Sequence, residues 1–225
     1  MIRIYYHIYV IDGVETIINE QLTLIKKYIN QPHSLTIGIS ISKNNNSLDD
    51  IIKLIYEYDT KIIIGDTKLM DNEFVTLNLI EKDKPSFDNT DFILYLHTKG
   101  ASKQYTNEYL ESEQWRILMQ LYNIQYIDNV FEVFNSGLYN TYGLLLEMVN
   151  GSKNIIYSGN FWWMTGQYSK TININNVDKY DRYKAELQYI QTGVNWKPYS
   201  YFIKDKKDKR IKNNIITRFS FNKII

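Results

Sequence analysis

No cysteine occurs in the 225 residues, which excludes disulfides, thiolate metal sites and cysteine nucleophiles together and fits a reducing compartment. The three histidines, His7, His33 and His97, stand too far apart for zinc-ligand spacing. There is no apolar run of about 18 residues of the kind a membrane-spanning helix needs. The opening "MIRIYYHIYVIDG" lacks the basic-then-apolar order of a signal peptide. The expectation is a soluble protein that stays in the cytoplasm (of a host, were the chain viral). A formal net charge of +1 argues against a dedicated nucleic-acid binder, which carries a basic excess or stripe. G-x-G-x-x-G, P-loop, H-E-x-x-H and G-x-S-x-G signatures are all missing. With 3 prolines and 10 glycines, the chain has no Pro/Gly/Ser-rich linker, and it has no internal repeat.

What is present is a globular composition, 44% hydrophobic and 23% charged, long enough for one domain with a sizeable core. Twenty tyrosines raise the aromatic share to 15%, a large stock of rings able to stack on bases or sugars. The first half alternates strand-like and helix-like segments. "RIYYHIYVI" (3–11), "SLTIGISI" (34–41), "KIIIG" (61–65) and "DFILYLHTKG" (91–100) read as strands, the last running into a loop. Residues 16–29 carry Ile18, Leu22, Ile25 and Ile29 at helical spacing, and 47–58 place Ile51, Leu54, Ile55 and Tyr58 on one helical face. A short helix is predicted over 73–81. Such alternation implies right-handed crossovers and an α/β architecture with a mostly parallel sheet flanked by helices. Ligands of such sheets bind beyond the carboxyl ends of the strands. That rule points to His7 to Asp12, Gly65-Asp66 and His97-Thr98-Lys99-Gly100.

The second half is less regular. Residues 107–134 read as one long helix or two shorter ones, with Leu110, Ile117, Leu121 and Ile124 on one stripe. Segments 138–149 and 154–159 read as strands, the double-tryptophan segment and 179–191 as helices. The domain is drawn over 1–203. Residues 204–225 form a basic tail, "KDKKDKRIK" being either a solvated charge run or a basic rim near an anionic ligand or membrane.

Three places invite chemistry. "YLHTKG" ends a buried strand with an imidazole, a hydroxyl, an ammonium and a glycine, groups that are costly to bury unpaired. Lys99 is a point charge suited to a diphosphate, and Gly100 permits close backbone approach. The plain alternative is a polar strand end in solvent. "YSGNFWW" (157–163) sets Trp162 beside Trp163; adjacent rings diverge, so either both pack in the interior or one anchors while the other lines a cleft. Glu186, four residues after Arg182, is either half of a surface ion pair or a general base.

"YYHIYVIDG", "NEFVTLNLI", "ILYLHTKG", "QWR" (114–116), "YSGNFWW" and "DRYKAELQYI" (181–190), in that order, resemble small glycosyltransferase domains of bacterial and large-DNA-virus polysaccharide-assembly proteins. The resemblance spans roughly 3–191. It implies a GT-A-type fold, a nucleotide-sugar donor (UDP-linked by family habit), a glycan or glycoconjugate acceptor and a setting within a larger glycan-assembly system. On this resemblance Tyr9 meets the nucleotide base; Thr76, His97, Thr98, Lys99, Gly100 and Arg116 form the donor site. Trp115, Asn160, Trp162, Trp163 and Arg182 form the acceptor side, and Glu186 is the catalytic carboxylate, a base if the reaction inverts configuration and a sugar-orienting group if it retains it. One departure stands out. Where most GT-A enzymes carry Asp-x-Asp for a divalent cation such as manganese or magnesium, this chain reads His97-Thr98-Lys99. Either Lys99 replaces the cation, or Asp66 or Asp91 helps to hold one. The rivals are a non-catalytic nucleotide- or carbohydrate-binding module on the same fold, and a methyltransferase-like enzyme, whose Gly-rich first loop is missing.

Overall fold

Four β-rich segments of the first half lie side by side. β1 (Ile2–Val10), β2 (His33–Ile41), β3 (Ile63–Leu69) and β4 (Phe92–His97) form a parallel array in the order β3-β2-β1-β4. The computed structural model describes residues 1–41, 48–58, 63–69, 72–103, 106–148, 155–177 and 189–203. The connections are α1 (Glu15–Tyr28), α2 (Leu48–Tyr58) and α3 (Phe74–Asp83). Their apolar stripes explain the placement: Ile17, Ile18, Leu22 and Ile25 of α1 and Ile51 and Ile55 of α2 are buried on one face of the sheet. Phe74, Leu77 and Ile80 of α3 are buried on the other.

Beyond β4 the sheet changes direction. α4 (Tyr109–Gln120), a π-helical turn (Leu121–Gln125) and α5 (Ile127–Asn135) precede β5 (Thr141–Met148), β6 (Ile155–Tyr157) and β7 (Trp162–Thr165). β7 runs antiparallel to both β4 and β5, and β6 antiparallel to β5. β8 (Pro198–Ile203) pairs parallel with β5. The architecture is therefore α/β with a mixed eight-stranded sheet flanked by helices. The mostly parallel arrangement expected is found in β1 to β4 and again where β8 joins β5, whereas β7 and β6 pair antiparallel.

β6 and β7 lie along one edge of β5: residues 141–143 pair with β7 and 146–148 with β6. Together they act as one strand interrupted by the turn Ser158–Phe161. Gly159 (φ +87°) and Asn160 (φ +56°) both take the left-handed conformation there. A Cβ at Gly159 would lie 2.2 Å from Met119 Sδ and 2.5 Å from Trp115 Nε1, so only glycine lets the turn rest on α4.

Several expectations are corrected. The double-tryptophan segment is a strand, not a helix, because its rings alternate between the two cores of the sheet. Trp163 packs on the α1/α4 side and Trp162 on the α3 side, each about 1% exposed or less. Neither ring is open to a cleft. Each indole N–H finds its own acceptor, Trp162 in Asn160 Oδ1 (2.8 Å) and Trp163 in the carbonyl of Asn123 in the π-turn (2.9 Å). That is why the chain carries two: a central strand covered on both faces has two cores to fill. Leu110, placed on the α4 stripe, is exposed; Trp115, Leu118 and Met119 supply the buried face instead. β8 had no predicted counterpart. Of the predicted helix over 179–191, residues 179–188 lie outside the described residues, as does the basic tail 204–225.

Candidate functional site

In the order β3-β2-β1-β4 the chain fills one side of β1 and then crosses to the other, so the topological switch falls between β1 and β4. His7 and His97 face each other in register across these strands. Both belong, with Tyr5 and Tyr95, to the set of side chains turned toward α3. A cleft of about 210 Å³ opens at this point. β1 contributes His7 and Tyr9, the approach to α3 contributes Asn72 and Glu73, and the segment after β4 contributes His97 to Gly100, Ser102 and Lys103. Ser112 of α4 closes it.

Glu73 is the hub. Its Oε2 accepts from Tyr95 Oη (2.7 Å) and from Asn160 Nδ2, and its Oε1 lies 3.5 Å from His97 Nδ1. His97 Nε2 faces the carbonyl of Gly159 at 2.9 Å. A carbonyl can only accept, so Nε2 carries the hydrogen. The network extends through Asn160 Oδ1 to the indole of Trp162. A single chain of polar contacts thus ties the β6–β7 turn, the end of β4 and the start of α3 into one wall.

His7 is held differently. Its Nδ1 meets Thr76 Oγ1 (3.0 Å) and its Nε2 meets Ser40 Oγ (3.1 Å). Full burial, with a smaller contribution from the charge of His97, lowers its pKa to about 3, so it is neutral at physiological pH. Thr76 reaches it because residue 38 is glycine: a Cβ there would lie 2.2 Å from Thr76 Oγ1.

The loop after β4 is fixed from below. Thr98 N donates to the carbonyl of His7, and Thr98 Oγ1 accepts from Tyr9 N, both at 3.0 Å. Gln21 of α1 donates to the carbonyl of His97 (3.1 Å). The buried guanidinium of Arg116 pairs with Glu20 (3.0 Å) and donates to the carbonyl of Lys99 (3.4 Å). Gly100 turns with φ +86°. Among the described residues no carboxylate lies within ion-pair distance of Lys99, whereas Lys103 pairs with Glu108.

Of the residues singled out in the sequence, Tyr9, His97, Thr98, Lys99 and Gly100 line the cleft. Thr76, Trp115, Arg116, Asn160, Trp162 and Trp163 are buried behind it, Thr76 under His7 and Arg116 under the Lys99 backbone. The resemblance offers these six to donor or acceptor; in the structure their side chains are buried against the wall and the loop. Arg182 and Glu186 lie outside the described residues. Sequence reasoning missed Glu73, Asn72, Ser102, Lys103 and Ser112, although Asn72 and Glu73 open the quoted "NEFVTLNLI" segment.

The alternative cation ligands fare unequally. Asp91 accepts from the amino terminus (3.0 Å), Arg3 Nε (2.7 Å) and Asp88 N (3.0 Å) at the beginning of β4, the far end of the strand from the cleft. It is removed as a candidate. The Asp66 side chain lies outside the described residues. Among the described residues no three His, Asp or Glu side chains gather as a metal site. Glu73, the single lining carboxylate, is occupied by the network, so the described donor set does not fit a divalent cation. Among the described residues no helix is long and apolar enough to cross a membrane. No protein-family model and no curated protein matches this chain.

Proposed function

We propose that the cleft binds a nucleotide sugar and that the protein is a glycosyltransferase of GT-A type. In the reaction, the sugar's bond to the diphosphate breaks, an acceptor hydroxyl oxygen bonds to the anomeric carbon, and the hydroxyl proton passes to a base. The observation that carries the reading is the coincidence of the His97-Thr98-Lys99-Gly100 segment with the switch point of the parallel strands. Lys99 supplies positive charge for a diphosphate, and the half-buried ring of Tyr9 offers a face to the base. A UDP-linked donor and a glycan acceptor are proposed on the resemblance, as is Glu186 as the base. No step is routed through a metal, since the described donor set does not fit one.

The test is a thermal-shift series with UDP-sugars, ATP and S-adenosylmethionine, with and without manganese, followed by an assay for released UDP. A ligand at a hundredfold excess over its Kd adds about 2.7 kcal/mol to stability. UDP-sugars are expected to raise Tm most, and acceptor-dependent UDP release is expected. Equal stabilisation by S-adenosylmethionine overturns the assignment. Binding without release under any acceptor supports the non-catalytic module.

A further inference from the structure

We propose that Ser112 of α4 is a phosphate-binding residue: its hydroxyl and the N–H of Gly100 hold the donor's diphosphate together with the ammonium of Lys99. This inference rests on the nucleotide-sugar reading above and names the groups that would meet the diphosphate.

α4 meets the Lys99–Gly100 turn along one face. Ser112 and Arg116 stand four residues apart and so on the same side of the helix. A Cβ at Gly100 would lie 3.3 Å from Ser112 Cβ and 3.6 Å from Arg116 Nη1. Both side chains therefore reach the same point of the turn. Arg116 is committed there: it is buried, pairs with Glu20 and donates to the carbonyl of Lys99. Ser112 is half-buried and lines the cleft, and its hydroxyl has no hydrogen-bond partner among the described residues. One residue of α4 anchors the turn, and the other faces whatever the turn holds.

The turn has an open donor of its own. Lys99 N donates to the carbonyl of His97 (2.8 Å), Ala101 N to that of Thr98 (3.2 Å) and Lys103 N to that of Gly100 (2.9 Å). The N–H of Gly100, where φ is +86°, has no acceptor among the described residues. Backbone N–H groups in turns of this kind form anion-binding concavities. The neighbouring Lys99 has no carboxylate within ion-pair distance among the described residues, whereas Lys103 is taken by Glu108. An ammonium and a peptide N–H only donate, and a hydroxyl beside them serves as a third donor. Three donors around one glycine, one of them charged, suit phosphoryl oxygens, which accept and carry negative charge.

The experiment is titration calorimetry with UDP at low salt on the wild type, Ser112→Ala, Lys99→Ala and their double variant, with Tm measured for each. The Ser112 hydroxyl has no internal partner to lose, so Ser112→Ala should leave Tm near the wild-type value. UDP affinity should fall about tenfold or more in Ser112→Ala, as expected for a lost hydrogen bond to a charged group. Groups that hold one ligand together do not act independently. The double variant should therefore lose less than the product of the single losses, by about threefold or more. Wild-type UDP affinity in Ser112→Ala overturns this inference and leaves the nucleotide-sugar reading in place. So do losses that simply multiply in the double variant, which would put Ser112 and Lys99 on separate groups. A Tm that falls along with the affinity in Ser112→Ala would make Ser112 structural and overturns the inference too. Failure of UDP to bind the wild type overturns the nucleotide-sugar reading and this inference with it.

Discussion

Asn160→Ala tests the wall of the cleft directly, because three separate losses meet at one side chain. First, the buried indole N–H of Trp162 loses its acceptor; leaving a buried donor unsatisfied costs about 1–3 kcal/mol. Second, Glu73 loses one of its donors, and a hydrogen bond to a charged group is worth about 1.5–3 kcal/mol. Glu73 is partly exposed, so water recovers much of that. Third, alanine must hold φ near +56°, which costs roughly 1 kcal/mol for a residue with a Cβ. These terms share partners and do not add in full. About 3 kcal/mol is the expected total, equivalent to a Tm fall of roughly 6–12 °C for a chain of this size. Urea unfolding followed by tryptophan fluorescence measures it. Asn160→Gly removes the same hydrogen bonds but relieves the backbone, so it should lie about 1 kcal/mol above Asn160→Ala. Asn160→Ala within about 0.5 kcal/mol of wild type would refute the network as a structural element. Equal stability of the Ala and Gly variants would refute only the backbone part.

Three further outcomes are expected. Lys99→Ala should weaken UDP-sugar binding in low salt while leaving Tm nearly unchanged, since its half-exposed ammonium has no carboxylate partner among the described residues; unchanged affinity would remove Lys99 from the phosphates. Gly143→Ala should destabilise by about 1–3 kcal/mol, because a Cβ would lie 2.3 Å from a Tyr157 ring whose hydroxyl is tied to Thr141 and Tyr199; a wild-type urea midpoint would contradict this. The lowered pKa of His7 makes the folded state bind fewer protons than the unfolded one as pH falls below about 6.5 toward 3. Stability present above pH 6.5 is therefore lost on acidification by up to about 1.4 kcal/mol per pH unit, and His7→Gln should flatten that slope between pH 6 and 4; an unchanged slope would show that other groups carry it.

The parallel half was legible because each element carries its own periodicity. Ile4, Tyr6 and Ile8 alternate with Tyr5 and His7 along β1, and α1 and α2 show apolar stripes at helical spacing. The rule placing ligands at strand ends then selects the loop after β4 without any knowledge of contacts. In the second half β5 and β6 fall within segments that read as strands, but β7 and β8 do not. β7 has four residues, three of them buried aromatic or apolar side chains, so nothing in its pattern separates strand from helix. β8 is defined by its pairing with β5 rather than by any alternation of its own.

The site divides along the same line. Lys99 and Gly100 announce themselves because charge and glycine at a strand end need a reason visible within a few residues. Glu73, Asn160 and Tyr95 belong together only through contacts spanning 22 and 87 positions of sequence, and an isolated glutamate before a helix carries no local mark of that. The same distance hides from the sequence the burial of Thr76, Trp115 and Arg116. Each has the chemistry of a ligand-facing group, yet each already has a buried partner or a core supplied by a remote segment: His7 above Thr76, Glu20 beside Arg116, the α1/α4 core around Trp115. Residue type reports what a side chain is able to bind. Only the fold determines whether the protein itself has already taken that capacity, and here it has done so for the Thr76 hydroxyl, the Asn160 amide and the Trp162 and Trp163 indoles, while Lys99, Tyr9 and Glu73 line the cleft.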